Sequence, residues 1–324
     1  MNNIKLYKEC YFKNVAVVTG TYCSGKSMVA PIVSSLSKVE HVRKLLVVDQ
    51  IFHLANLRMI NKESAIFLVR HYLDKSFYEQ LIGRNINFRI EDETSIFTAK
   101  NTKELANRIL IKRGEHVITK HIQNKTIFCM DTHDGIMLYD YWSKVSDGFK
   151  FINIYRNPID TVASWDKHGM GKLEKIRFNE VALFKNNKNI FPHYYINKNN
   201  EYRKNNTTDR IIDMVLYCQE KEYKNFKKYK NKKNCIFIEF EDFAVNTDPN
   251  IDKICKFLKT KKSKSTKEIM IRENCPRIID PNLYKEKLVY ELIDICPSIN
   301  FRDRLKLWSF PWLPCRHDHE CHMG

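Results

Sequence analysis

Gly20-Thr21-Tyr22-Cys23-Ser24-Gly25-Lys26-Ser27 fits the spacing G-x4-G-K-[ST], a stretch whose residue types are suited to holding a phosphate. Its glycines let the backbone curl so that successive N–H groups face one anion. A helix starting at Lys26 would add its dipole and unpaired N–H groups, and Lys26 itself a full positive charge. The eight residues are therefore candidate ligands of a nucleotide phosphate. The loop does not choose the nucleotide. Kinases and NTPases pair such a loop with Mg²⁺ and a carboxylate at the end of another strand. Asp49 and Asp131 each end an apolar run and could serve in that way.

A second anion site is written in residues 151–164, Phe-Ile-Asn-Ile-Tyr-Arg-Asn-Pro-Ile-Asp-Thr-Val-Ala-Ser. Asn157 is placed to cap a helix whose first residue is Pro158, with Asp160 in its first turn. Arg156 then leaves the end of a strand, where ligands of open α/β sheets bind. Ser164 falls about six residues into the helix, roughly 9 Å along it, within reach of a guanidinium folded back. Arg156 and Ser164 can thus grip one phosphate together. Taken alone, Arg156 reads first as one half of a surface ion pair with Asp160.

These positions need elements to hold them. Residues 15–18 form a short β-branched run, the mark of a buried strand, and residues 26–37 are patterned as a helix that Pro31 would kink or delay. Residues 45–49 read as a second strand and 51–113 as mostly helical. Further strands are expected at 127–131, 149–155 and 235–239, with helices at 136–142, 159–165, 208–230 and 251–258. Strands alternating with helices predict an α/β fold, a parallel sheet flanked by helices, in a single domain over residues 1–324. The polar segment 185–206 and the basic segment 260–267 read as loops.

Composition narrows the class. A hydrophobic share of 43% and an aromatic share of 12% belong to a globular chain, not a disordered one. The 55 basic and 38 acidic residues leave a net charge of +17, which favours a phosphate-bearing or acidic partner. Ten cysteines are scattered without paired spacing, as expected of buried thiols in a reducing compartment. The N-terminus lacks the apolar core of a secretory signal. No run approaches the ~18 apolar residues of a membrane span, so a cytoplasmic protein is expected. Nucleic-acid binding would need exposed aromatics among the basic runs; Tyr194, Tyr195 and Tyr202, near Lys198 and Arg203, offer only a little of that.

The two anion motifs together resemble those of the sulfotransferase family. Arg156-Asn157-Pro158-x-Asp160, with Ser164 eight residues after the arginine, is similar to that family's site for the donor 3′-phosphate. Thr21-Tyr22-x-Ser24-Gly25 is similar to its loop for the 5′-phosphosulfate, and the order of the two motifs agrees. Residues 236–243, Ile-Phe-Ile-Glu-Phe-Glu-Asp-Phe, resemble the family's strand followed by Tyr-Glu-Asp-Leu, and Phe257-Leu258 its helix end. The resemblance covers residues 15–258. The chain departs from the pattern at Lys26, where Thr or Ser is usual, and at Cys23, where Lys or Arg is common.

The resemblance implies transfer of a sulfuryl group from 3′-phosphoadenosine-5′-phosphosulfate (PAPS) to a hydroxyl or amine, with no metal at the site; the net charge of +17 points to a glycan, acidic or neutral, as one acceptor class. Lys26 would then stabilise the moving group. Thr132-His133 aligns with the family's Thr-His or Ser-His pair, whose histidine is the base, which assigns that role to His133. Asp131 is the alternative base, since some branches of the family use a carboxylate. An ordinary imidazole, with a pKa of about 6.5, suits proton acceptance. Two other readings stay open: a kinase using ATP and Mg²⁺, and a basic module binding a polyanion. Cys315, His317, His319, Cys321 and His322 are of zinc-ligand type but lack the usual ligand spacing, so a flexible tail over 315–324 is expected. Oligomeric state is left open.

Overall fold

Val15–Thr19 forms strand β1, and all five of its side chains are buried, as a β-branched run covered on both faces requires. A computed structural model describes residues 7–112, 114–176, 180–198 and 200–277. After β1 come α1 (Lys26–Ser34), β2 (Arg43–Lys44), α2 (Val47–Asn56) and α3 (Lys62–Leu81). Then follow α4 (Thr102–Asn107), α5 (Glu115–Gln123), β3 (Phe128–Thr132), α6 (Tyr139–Trp142), β4 (Phe149–Tyr155) and α7 (Pro158–Lys167). The hairpin β5 (Leu183–Asn186) and β6 (Asn189–Pro192) precedes the long α8 (Thr207–Tyr229) and β7 (Cys235–Glu239). Three helices, α9 (Phe240–Val245), α10 (Thr247–Leu258) and α11 (Thr266–Arg272), complete the described part.

The main sheet has the order β2-β3-β1-β4-β7, with every pairing parallel. Alternation along β1 divides the core into two layers. Val15 and Val17 join Phe52, Phe77, Phe128, Met130 and Trp142 on one face. Ala16 and Val18 join Val29, Ile32, Leu36, Ile251 and Ile254 on the other. The sheet is thus a parallel one flanked by helices, as the alternation of patterns predicts. Its register aligns Thr19 with Thr132 of β3 and with Asn153 of β4. The segments following β1, β3 and β4 therefore emerge side by side at the carboxyl ends of the three central strands, where the direction of the crossovers changes.

Three expectations are corrected. Residues 45–49 are not a strand: β2 is only Arg43–Lys44, and Val47 begins a helix. A short apolar run has no period of its own. Val48, Phe52 and Ala55, at i, i+4 and i+7, make the buried face of α2. Asp49 accordingly sits in a first helical turn. Segment 185–206 is not simply a loop, since it contains most of the antiparallel β5–β6 hairpin and a 3-10 turn that buries His193, Tyr194 and Tyr195. With Tyr202 also buried, these rings offer no exposed stacking platform. Helix α1 starts at Lys26 despite Pro31. Among the described residues no helix is long and apolar enough to cross a membrane. The tail cluster Cys315–His322 lies outside the described residues.

Candidate active site

The loop after β1 is shaped by two glycines whose backbone other residues could not adopt. Gly20 has φ +152° and Gly25, the N-cap of α1, has φ +91°. A Cβ on Gly20 would lie 2.1 Å from the carbonyl oxygen of Ile154, and one on Gly25 2.0 Å from the Phe240 ring. Both are closer than any side chain can tolerate. Cys23 takes the left-handed region with φ 63°, a conformation costing a non-glycine residue on the order of 1 kcal/mol.

Hydrogen bonds from three directions fix this loop. Gly20 N donates to the His133 carbonyl (3.3 Å), and Trp165 Nε1 on α7 donates to the Tyr22 carbonyl (2.7 Å). Thr21 N donates to Oε1 of Glu222 on α8 (3.1 Å). Glu222 is fully buried, and burial pushes its carboxyl up to about 7. Gly20, Thr21 and Ser24 are buried and do not line the cleft. Tyr22, Cys23, Gly25, Lys26 and Ser27 face an open cleft of about 380 Å³.

Arg156 and Ser164 open onto the same cleft. Asn157 caps α7 through its side chain, which accepts from Ile159 N (2.9 Å), with Pro158 at the first helical position. Arg156 folds back as the spacing predicts: Nη1 donates to Ser164 Oγ (3.1 Å) and to the Cys23 carbonyl (3.0 Å). The second anion site is therefore tied directly to the first. Its guanidinium lies 4.9 Å over the ring of Phe240, and that of Arg277 lies 5.9 Å over the same ring. Lys44 of β2 also lines the cleft, 3.3 Å from Glu180 and 3.6 Å from Glu93.

His133 and Asp131 both belong to the β3 end, but only His133 lines the cleft. Its ring packs edge-on against Tyr22, centroids 5.4 Å apart, and Nε2 is 3.9 Å from Glu180 Oε2. Neither ring nitrogen has a hydrogen-bond partner among the described residues. Burial, and next the charge of Lys26, push the imidazole down to about 4, not the ordinary value that its sequence position implies. It is neutral and able to accept a proton throughout the physiological range. Asp131 is fully buried with both carboxylate oxygens unpartnered, and burial pushes it up to about 7.

Asp49 does something the sequence reading missed. Its Oδ2 accepts the Thr132 hydroxyl and the backbone N–H groups of His133 (2.9 Å) and Asp134 (3.3 Å). One carboxylate on α2 thus holds the turn that presents His133. Phe240, Arg277, Lys44, Glu222 and Glu180 were also missed as site residues. Only Phe240 stood in a segment with a recognisable pattern; the others are single charged residues brought in by the fold.

The sequence model of the sulfotransferase domain matches residues 17–275, a span that contains both anion motifs, His133 and the strand-to-helix segment around Phe240. The chain belongs to the sulfotransferase family. It is a sulfotransferase by the whole extent of that match, which covers most of its length.

Solved structures similar to this sulfotransferase include two sulfotransferase domains. One is from the curacin biosynthetic pathway, at 10% identity and TM-score 0.44 over 92% of each chain. The other is from the Synechococcus PCC 7002 olefin synthase, at 11% identity and TM-score 0.45 over 94% of this chain and 97% of that one. The sulfotransferase STF9 from Mycobacterium avium is 9% identical, with TM-score 0.42, over 92% of this chain and 77% of that one. A comparison with curated proteins finds no match.

Proposed function

We propose that this sulfotransferase takes its sulfuryl group from PAPS and passes it to a hydroxyl or amine. The reading rests above all on the hydrogen bond between Arg156 and Ser164, 3.1 Å long, on the wall of the cleft that the phosphate loop also faces. A 3′-phosphate needs such a pair, and a nucleoside with only a 5′-phosphate does not. Loop N–H groups and Lys26 hold the 5′-phosphosulfate end. Arg156 and Ser164 hold the 3′-phosphate, and Arg277 supplies the contact from beyond residue 258.

The acceptor oxygen or nitrogen forms a bond to sulfur while the bond from sulfur to the 5′-phosphate oxygen breaks. His133 takes the acceptor's proton, and Lys26 stabilises charge on the transferred group and the departing phosphate. Asp49 and Glu222 position: the first holds the His133 turn, the second the loop backbone at Thr21. None of the described residues lining the cleft is a carboxylate, a poor fit to the Mg²⁺-nucleotide of a kinase. The net charge of +17 makes a carbohydrate, neutral or acidic, the first acceptor class to test. The free cysteines among the described residues, most of them buried, fit a reducing, cytoplasmic setting.

The test is transfer of radiolabelled sulfuryl from PAPS to a panel of glycan, phenol and amine acceptors in the presence of a metal chelator. Transfer to any of them supports the reading. Phosphoryl transfer from ATP with Mg²⁺, with none from PAPS, would replace it.

A further inference from the structure

One buried cluster takes no part in this chemistry. His53 on α2, Asp134 just beyond β3 and His193 in the turn after β6 are all more than nine-tenths buried. One potential ligand atom from each lies within 4.8 Å of the others. Nε2 of His53 is 2.8 Å from Asp134 Oδ2, and Nε2 of His193 is 3.2 Å from the same oxygen. The first contact is a hydrogen bond. The second lacks the alignment of one, and neither nitrogen of His193 has a hydrogen-bond partner among the described residues. The two imidazoles are tilted 37° to one another with centroids 4.0 Å apart. Asp49, which feels the Asp134 charge, has an unpartnered buried Oδ1.

We infer that His53, Asp134 and His193 form a binding site for a divalent transition-metal ion, Zn²⁺ before others. Two imidazole nitrogens and one carboxylate oxygen are a donor set that zinc takes at about 2.0–2.2 Å. In a tetrahedral site bonds of that length put neighbouring ligand atoms about 3.4 Å apart, so the 2.8 and 3.2 Å contacts need open only by a few tenths of an ångström to admit the ion. The ligands come from three separate elements, so the ion would staple α2, the turn carrying His133 and the segment leading to α8. The cluster does not line the cleft, so the ion is structural and no step of sulfuryl transfer passes through it. The inference is independent of the donor assignment.

The experiment uses the full-length chain, stripped with a chelator and titrated with Co²⁺ alone and then Zn²⁺ alone. Co²⁺ should give visible d–d bands without thiolate charge transfer. Zn²⁺ should displace it and raise Tm by several degrees, since the ion binds the folded state. His193→Gln, which keeps an amide able to hydrogen-bond Asp134, should lose both responses, and so should Asp134→Asn. The double variant Cys315→Ser/Cys321→Ser should keep both. Thiolate charge transfer that vanishes in the cysteine variant would place the ion on the tail and overturn the inference. So would a parent protein with no Co²⁺ bands and no Zn²⁺ shift, in which case the three residues are a hydrogen-bonded cluster. Responses that persist in His193→Gln would overturn it as well.

Discussion

Replacing Arg156 with Ala should weaken adenosine 3′,5′-bisphosphate far more than adenosine 5′-monophosphate. The side chain does two jobs. It faces the cleft beside Ser164, and it ties the loop through the Cys23 carbonyl at 3.0 Å. The first job bears only on a ligand with a 3′-phosphate. A charge-assisted contact to phosphate is worth about 1.5–3 kcal/mol, more if bidentate. A loss of about 2–4 kcal/mol raises Kd roughly 30- to 700-fold. The second job bears on both nucleotides. Losing one hydrogen bond to a neutral carbonyl costs about 0.5–1.5 kcal/mol, or roughly tenfold at most. Arg156→Lys should recover only part of the bisphosphate affinity, because a point charge cannot reproduce the fork or its stacking on Phe240, 4.9 Å away. Titration calorimetry with both ligands in a chelator reads the difference. Equal losses for the two nucleotides would refute the reasoning and make Arg156 a brace for the loop alone.

Other residues give separate expectations. His133→Ala should lower turnover by about 10² to 10⁴ with bisphosphate affinity nearly unchanged; if it keeps full activity while Asp131→Asn loses it, the base is Asp131. Lys26→Ala should reduce turnover more than it weakens the desulfated product, because that product lacks the group on which Lys26 acts; a fall in product affinity alone would make it a phosphate clamp. Asp131, with its folded pKa raised to about 7 by burial, contributes stability that is present below pH ~4 and lost as pH rises through about 7. Asp131→Asn should therefore gain on the parent by on the order of a few kcal/mol between pH 4 and 8 in denaturant unfolding, and a difference independent of pH would contradict the shift.

What was legible in the sequence was local. The phosphate loop is contiguous, and its glycines declare a backbone that only they can adopt, as the close approaches at Gly20 and Gly25 show. The Asn157-Pro158 start of α7 is equally self-contained, and with it the reach from Arg156 to Ser164. Less legible was whatever depends on pairing. Residues 45–48 carry four consecutive apolar side chains, and only the neighbours of α2 decide that they turn as a helix. Glu222 meets Thr21 across 201 positions, and Arg277 reaches the cleft without a motif around it. The lowering of the His133 pKa also escaped, since it comes from burial and from the nearby charge of Lys26, neither of which a strand-end histidine advertises.

The central claim is that one cleft holds a nucleotide with phosphates on both the 5′ and the 3′ carbons. The measurement that tests it most directly is the affinity of the unaltered protein for adenosine 3′,5′-bisphosphate against adenosine 5′-monophosphate, by calorimetry without metal. A contact worth about 2 kcal/mol or more at Arg156 and Ser164 predicts that the bisphosphate binds at least ~30-fold tighter. Equal affinities, or binding of ATP that appears only when Mg²⁺ is added, would contradict it.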